Sequence, residues 1–347
     1  MRQEEIAPLD ELRLTVVIDN ETDALSSIDP GVPQIGEIGG FLQRSPPARE
    51  FGGHPGNVFF DQCCCACHGL SILATGRRGD RQHSLLFDVG PYASVWMENA
   101  ARLGIDVSAI EGVFLSHWHF DHSGGFPEVV ASIAAARRNR GLPPPFVDVH
   151  PDRPDQRGIM LPSGSMVLLP EEPRFDQLEA ARADVIRQAA QHPLLDGFYF
   201  ASGGIDRVTA YETGLAGHHS LRGGRAEPDP LILDERFVAA VVRGRGVTVL
   251  SACSHAGVVN ACLAAQRQFP DMPVDVVLGG YHLSGKELEK RIEPTIADLK
   301  DRIRPRVVAP GHCTGWRAKA ALASAFAPGR YGPSVVGSSY VLTARDA

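Results

Sequence analysis

The sequence predicts an α/β protein whose strands deliver histidines to one end of a sheet, and two observations carry that expectation. In the C-terminal half, three apolar runs at 247–250, 274–278 and 306–309 each lead through a histidine, His255, His282 or His312, into a helical pattern. Earlier, four metal-binding side chains, His117, His119, Asp121 and His122, fall within six residues. They stand between the apolar run 112–115 and a segment where Phe126, Val129, Val130 and Ile133 recur at helical spacing. In layered α/β folds ligands gather at the carboxyl ends of strands, so histidines distant in sequence are expected to meet there.

In chain order, residues 12–18 form a β-rich run ending in a turn at Asp19-Asn20. Residues 26–57, with Pro30, Pro33, Pro46, Pro47, Pro55 and many glycines, read as a long loop. Runs 68–74 and 84–90 read as paired strands joined by a charged turn, and Asp88 ends the second. Val95, Trp96 and Leu103 suggest a helix over 91–103; the motif and its own helix follow, then a strand at 146–149 closed by His150-Pro151. Residues 152–230 are less regular and form the candidate insertion that shapes substrate access. A helix is expected there over 175–191, and His218-His219 reads as part of a solvated loop. Strands are expected at 231–235, 237–242 and 247–250, then helices over 258–269, 287–302 and 316–326, the last with Thr314 placed to cap it.

The 347 residues are 44% hydrophobic and 22% charged, with a net charge of −7, no basic block and no apolar run long enough to span a bilayer. Nucleic acid and anionic membrane are therefore not the expected partners; a small-molecule substrate is. Seven cysteines, four of them crowded at Cys63, Cys64, Cys65 and Cys67, do not make a spaced secretory framework, and the expected compartment is a reducing cytoplasm. Adjacent cysteines alternate in direction on a strand, so the cluster reads as buried or partly reactive thiols rather than a metal site.

At an extended strand end alternate side chains point the same way, so His117 and His119 can converge on one ion while Asp121 and His122 face a second. Imidazole and carboxylate suit zinc, with manganese or iron as alternatives. Each ion needs further ligands, and His255 and His312 are the candidates. Asp88 is a candidate to orient a metal-bound histidine. His282 stands between a substrate or proton-transfer role and a structural one; His68 either lines the site or packs, and His150 ends its strand.

The spacing His-x-His-x-Asp-His resembles the metal signature of the metallo-β-lactamase superfamily. Together with Val17-Ile18-Asp19-Asn20, His68-Gly69-Leu70-Ser71, Asp88-Val89-Gly90, Ser254-His255-Ala256-Gly257, Gly279-Gly280-Tyr281-His282 and Gly311-His312-Cys313-Thr314-Gly315, it is similar to the branch of dihydropterin-ribofuranosylaminobenzene-phosphate synthase-like hydrolases. The resemblance implies a four-layer αβ/βα sandwich formed by residues 1–347 as one domain. It implies His117, His119 and His255 around one metal and Asp121, His122 and His312 around the other, with Cys253, His255 and His282 leaving the bridging ligand open. The implied chemistry is hydrolysis of an ester, lactone or phosphodiester of a small anionic molecule by a metal-activated hydroxide. Asp121 would orient the nucleophile, His282 would donate a proton, and helix N-termini after His122, His255 and His312 would add positive potential. A di-iron oxidoreductase, or a metal-bound sensor without catalysis, are the alternatives.

Overall fold

The computed structural model describes residues 6–45 and 49–345; Pro46 and Pro47 of the proline-rich segment, and Met1 to Glu5, lie outside the described residues. Two large sheets dominate. One has eight strands in the order Asp184–Arg187, Phe146–Val149, Ile110–Phe114, Arg81–Phe87, Ser71–Arg78, Glu11–Ile18, Ser339–Thr343 and Gln34–Ile35. The other has six, ordered His192–Leu194, Tyr199–Ala201, Val238–Val242, Gly246–Ser251, Val274–Gly280 and Val307–Gly311.

Strand alternation explains how these sheets stack. Leu12, Leu14, Ile72, Ala74, Leu85 and Phe87 of the first sheet pack against Ala240, Leu250, Val276, Leu278, Val307 and Ala309 of the second. The intervening residues face outward, where helices cover them. Val17, Leu86, Val113 and Val147 meet Trp96 and Ala100 of helix Ala93–Arg102 and Phe126, Val130 and Ile133 of helix Phe126–Asn139. On the far side, Val249, Val277 and Val308 meet Val258, Ala261 and Ala265 of helix Val258–Gln268, and Leu322 and Phe326 of helix Trp316–Phe326. The layers therefore run helix, sheet, sheet, helix: the four-layer αβ/βα sandwich.

Four expectations fail locally. The helix expected over 175–191 stops at Ala180, because Arg182 turns into the left-handed region and Asp184–Arg187 pairs in parallel with the open edge strand Phe146–Val149. Residues 231–235 are not a strand; Ile232 has φ 50°, and the turns there aim Asp234 and Glu235 inward. The proline-rich loop contains a helix, Glu37–Arg44, that buries Phe41. Thr314 does not cap the last helix, which starts from Gly315; its hydroxyl instead accepts the Tyr281 N–H at 3.0 Å.

The irregular segment supplies its own four-stranded sheet, ordered Met166–Glu171, Gln156–Met160, His218–Arg222 and Arg225–Pro228. Its last two strands form a hairpin through Gly223 and Gly224, both with positive φ (55° and 79°), the geometry that a two-residue hairpin turn requires. Among the described residues, no helix is long and apolar enough to cross a membrane.

Candidate metal centre

Strands Ile110–Phe114, Gly246–Ser251, Val274–Gly280 and Val307–Gly311 all end at one edge of the sandwich, and the loops leaving them carry the histidines. Backbone conformation there is costly. Asp88, Ser254, His282 and His312 hold φ values of 57°, 58°, 45° and 45°, a region non-glycine residues avoid. Gly311 is required for a different reason: a Cβ on it would lie 2.3 Å from Asp19 Oδ2, and Asp19 Oδ1 accepts the His312 N–H at 2.8 Å.

The side chains assemble into two main donor groups, each with its donor atoms within 4.8 Å of one another: His117, His119 and His255; and Asp121, His122, Cys253 and His312. In the first, His119 Nδ1 lies 2.9 Å from His117 Nε2 and 3.0 Å from His255 Nε2. In the second, Cys253 Sγ lies 3.2 Å from both His122 Nε2 and His312 Nε2, and Asp121 Oδ2 lies 3.3 Å from His312 Nε2. A third group, Cys253, His255 and His282, joins the two. Cys253, one of the three candidates for the bridging ligand, stands among the donors of both the second and the third group.

Hydrogen-bond logic shows that these groups fit a cation. Ser116 Oγ donates its one hydrogen to Asp88 Oδ2 at 2.8 Å, so it accepts from His117 Nδ1 at 2.9 Å, and His117 Nε2 is left bare. His122 Nδ1 donates to Asp88 Oδ2 at 2.8 Å. His312 Nδ1 donates to Asn20 Oδ1 at 3.0 Å, an oxygen identified by the N–H of Gly69 that it also accepts. The Nε2 atoms of His117, His122 and His312 thus point into the two groups, bare on His117 and, on His122 and His312, open to a cation that displaces a proton, an arrangement that suits a metal ion.

Burial drives the pKa of His117, His119 and His255 well below the usual imidazole range, so all three remain neutral. Burial also opposes charge on Asp121 and His122. For Asp121 the His122 charge and bonds from His312 and His68 outweigh it, holding the carboxyl well below its usual range. For His122 the Asp121 and Asp88 carboxylates outweigh it, raising its pKa to about 9. Burial pushes the Cys253 thiol up.

The other expected residues separate cleanly. Asp88, fully buried, touches both His122 and Ser116. His68 Nε2 lies 3.4 Å from Asp121 Oδ2, at the mouth of the site. His282 lines the cleft with its ring 4.3 Å from that of His255. His150 stays outside; its carbonyl accepts from Trp118 Nε1 at 2.9 Å. Among the described residues Cys63 to Cys67 form no donor group, and Cys65 Sγ instead lies 3.1 Å from Arg102 Nη1. The helix N-terminus after His255 does not offer its free N–H groups to the site as expected, because buried Glu212 takes those of Val259 and Asn260 at 2.9 Å.

His218, expected in a solvated loop, is buried on its strand, with Nε2 2.9 Å from His119 Nε2. The signal that would have found it is the Gly-Gly hairpin turn downstream, which puts His218 on a strand. Glu235, which accepts the N–H groups of His255 and Ala256 at 2.7 Å, and Glu172, hydrogen-bonded to Ser123, were also missed. Single acidic residues in irregular sequence carry no spacing by which to recognise them.

Above the donors opens a cleft of about 690 Å³, walled by Tyr92, Phe120, Ile159, Leu169, Leu215 and Trp316. Among the described residues, no lysine or arginine lines it.

A fold with two sheets between helices and paired donor groups at one edge defines a metal-dependent, hydrolase-like class, and the family model of the metallo-beta-lactamase superfamily matches residues 69–264. The chain belongs to that superfamily. It is 26% identical over 275 residues, covering 78% of this chain and 87% of the relative, to the 7,8-dihydropterin-6-methyl-4-(beta-D-ribofuranosyl)-aminobenzene-5'-phosphate synthase of Methanocaldococcus jannaschii. An uncharacterised protein of the same organism, MJ0448, is 24% identical over 73% of this chain and 86% of its own length. The solved structure of Tm1679, a metal-dependent hydrolase of the beta-lactamase superfamily, shares the fold with a TM-score of 0.65 and 20% identity, covering 96% of this chain and all of that one.

Proposed function

We propose that this protein is a hydrolase with two divalent cation positions, zinc being the best match to the donors, that cleaves an ester, lactone or phosphodiester bond in a small anionic molecule. The observation that carries the reading is the pair of donor groups at the floor of one cleft, three neutral imidazoles in one and a carboxylate, a thiol and two imidazoles in the other. Cations bound there would lower the pKa of a water and polarise the bond it attacks. His117, His119 and His255 would hold one cation, and Asp121, His122, Cys253 and His312 the other.

The chain's own groups supply the rest. Asp121 stays ionised and accepts from His68, so its carboxylate is fixed at the cleft floor to orient the attacking water. His282 is the candidate acid: burial alone would discharge it, but Cys313, Glu235 and Asp121 outweigh burial and raise its pKa. With no lysine or arginine on the walls, negative charge on the substrate has to be met by the cations. The aromatic and aliphatic walls suit an uncharged, flat body extending away from them. The segment 152–230 contributes Ile159, Leu169 and Leu215 to those walls, which supports its role in shaping access.

The relative's name raises a second reading, synthesis, in which a second substrate replaces water as the attacking group. The test is turnover of bis(4-nitrophenyl) phosphate and of aryl esters and lactones by zinc, manganese and iron forms of known metal content. Hydrolysis lost in Asp121→Ala supports the proposal. Inertness with all three metals favours a binding protein or a synthase, and turnover that requires both a reductant and oxygen favours a redox enzyme.

A further inference from the structure

Strand His218–Arg222 brings a buried imidazole against the far side of His119 from the donor group. His218 Nδ1 lies 2.7 Å from the Asp229 carbonyl oxygen, which can only accept, so Nδ1 carries the ring hydrogen. In the neutral ring Nε2 is then bare, and it sits 2.9 Å from His119 Nε2. Only His119 can supply the hydrogen between them. That leaves His119 Nδ1 as a free lone pair, 2.9 Å from His117 Nε2 and 3.0 Å from His255 Nε2.

We propose that His218 is a positioning residue, which selects the tautomer and ring angle in which His119 offers Nδ1 to a cation shared with His117 and His255. The inference rests on the reading of those three histidines as one metal position. Metal-bound imidazoles ordinarily donate their second nitrogen to a carboxylate, carbonyl or water; here a second imidazole takes that place and passes the bond on to a carbonyl.

His218 is itself held on a closed circuit. Asp229 N donates to the His218 carbonyl at 2.9 Å, and Asp229 Oδ2 accepts from Arg157 Nη1 at 2.8 Å and from Ser220 Oγ at 2.7 Å. Arg157 Nη2 bonds Asp234 Oδ1 at 2.5 Å, and Asp234 Oδ2 accepts the N–H of Trp118, the residue preceding His119, at 2.7 Å. The strand paired with that of His218, Gln156–Met160, also carries Ile159 into the cleft wall. One small sheet therefore both walls the cleft and sets a metal ligand.

The experiment is a chelator-competition titration of the full-length chain with zinc, comparing wild type with His218→Phe, which keeps a ring and removes the acceptor, and His218→Gln, whose Oε1 can accept again. The expected result is a loss of about 10–100-fold in affinity for one equivalent in His218→Phe, with most of it recovered in His218→Gln. Wild-type affinity in His218→Phe, in a protein whose wild type binds zinc, overturns the positioning role alone; a wild type that binds no zinc overturns the metal reading beneath it. Ring ¹⁵N shifts of the metal-free wild type give an answer even if His218→Phe does not fold. A protonated Nε2 on His119 supports the proposal, and a protonated Nδ1 overturns it.

Discussion

Asp88 Oδ2 lies 2.8 Å from His122 Nδ1 and 2.8 Å from Ser116 Oγ, which accepts in turn from His117 Nδ1, so one buried carboxylate orients an imidazole in each donor group. Its other oxygen accepts the Ser116 N–H at 2.8 Å. In Asp88→Asn an amide N–H facing His122 would reverse that ring's tautomer and close off its Nε2. The expected outcome is weaker binding of both zinc equivalents, by about 10–100-fold, where His218→Phe weakens one. Chelator competition separates the two patterns, and Asp88→Asn binding both equivalents at wild-type affinity would contradict the assignment.

Glu172 makes a prediction for stability against pH. Its carboxyl is buried, with Oε1 lacking a partner, and burial raises its pKa from 4.5 to about 7 despite the Ser123 hydrogen bond. Between about pH 4.5 and 7 the folded state therefore binds more protons than the unfolded chain, so this group's contribution falls as pH rises through that window and is level above it. Glu172→Gln, with no charge to bury, should raise the melting temperature relative to wild type at pH 8 and hardly change it at pH 4. Thermal melts in chelator, where metal linkage does not intrude, check this; an equal shift at both pH values would count against it.

The parts of this molecule that sequence reveals are those with a period or a spacing. Alternating apolar residues in 12–18, 247–250 and 274–278 specify sheet faces, and His117, His119, Asp121 and His122 announce themselves within six residues. His255 and His312 follow strands and are found by that rule. Asp234, Glu235, Glu172 and His218 act through contacts between segments up to 116 positions apart, as in Asp234 with Trp118, and no local pattern records such a contact. The false helix over 175–191 has the same origin: an open sheet edge at Phe146–Val149 captures Asp184–Arg187, and tertiary pairing overrides local preference.

Trp316 stands at the mouth of the cleft, 70% exposed, and Tyr92 faces the same space at 56%. Neither side chain contributes much to the core, so Trp316→Ala should leave the melting temperature close to wild type. If the flat body of the substrate rests there, the contact is the same before and during bond cleavage, and its loss raises KM while leaving kcat near wild type. An increase of about tenfold in KM is expected for an aryl phosphodiester, with little change for a dialkyl one. Equal effects on both substrates would remove Trp316 from the binding surface.

Cys253 supplies the one thiol among the donors, equidistant at 3.2 Å from His122 and His312, and it follows strand Gly246–Ser251 at the floor of the cleft. A thiolate is a softer ligand than the imidazoles and carboxylate around it, and it biases that position toward zinc or cobalt over manganese. Burial keeps the metal-free thiol protonated, so a cation binding there must displace a proton, and affinity at this position should rise with pH across the neutral range. In Cys253→Ala the first equivalent of metal is expected to bind as in wild type, held by His117, His119 and His255, while the second weakens and loses part of its pH dependence. Cobalt substitution reads this directly: a thiolate-to-cobalt charge-transfer band present in wild type should be absent in Cys253→Ala with the first equivalent still bound. The same band, undiminished in the variant, would place the thiolate elsewhere, with Cys313, whose Sγ lies 3.5 Å from the Cys253 carbonyl oxygen, as the alternative donor.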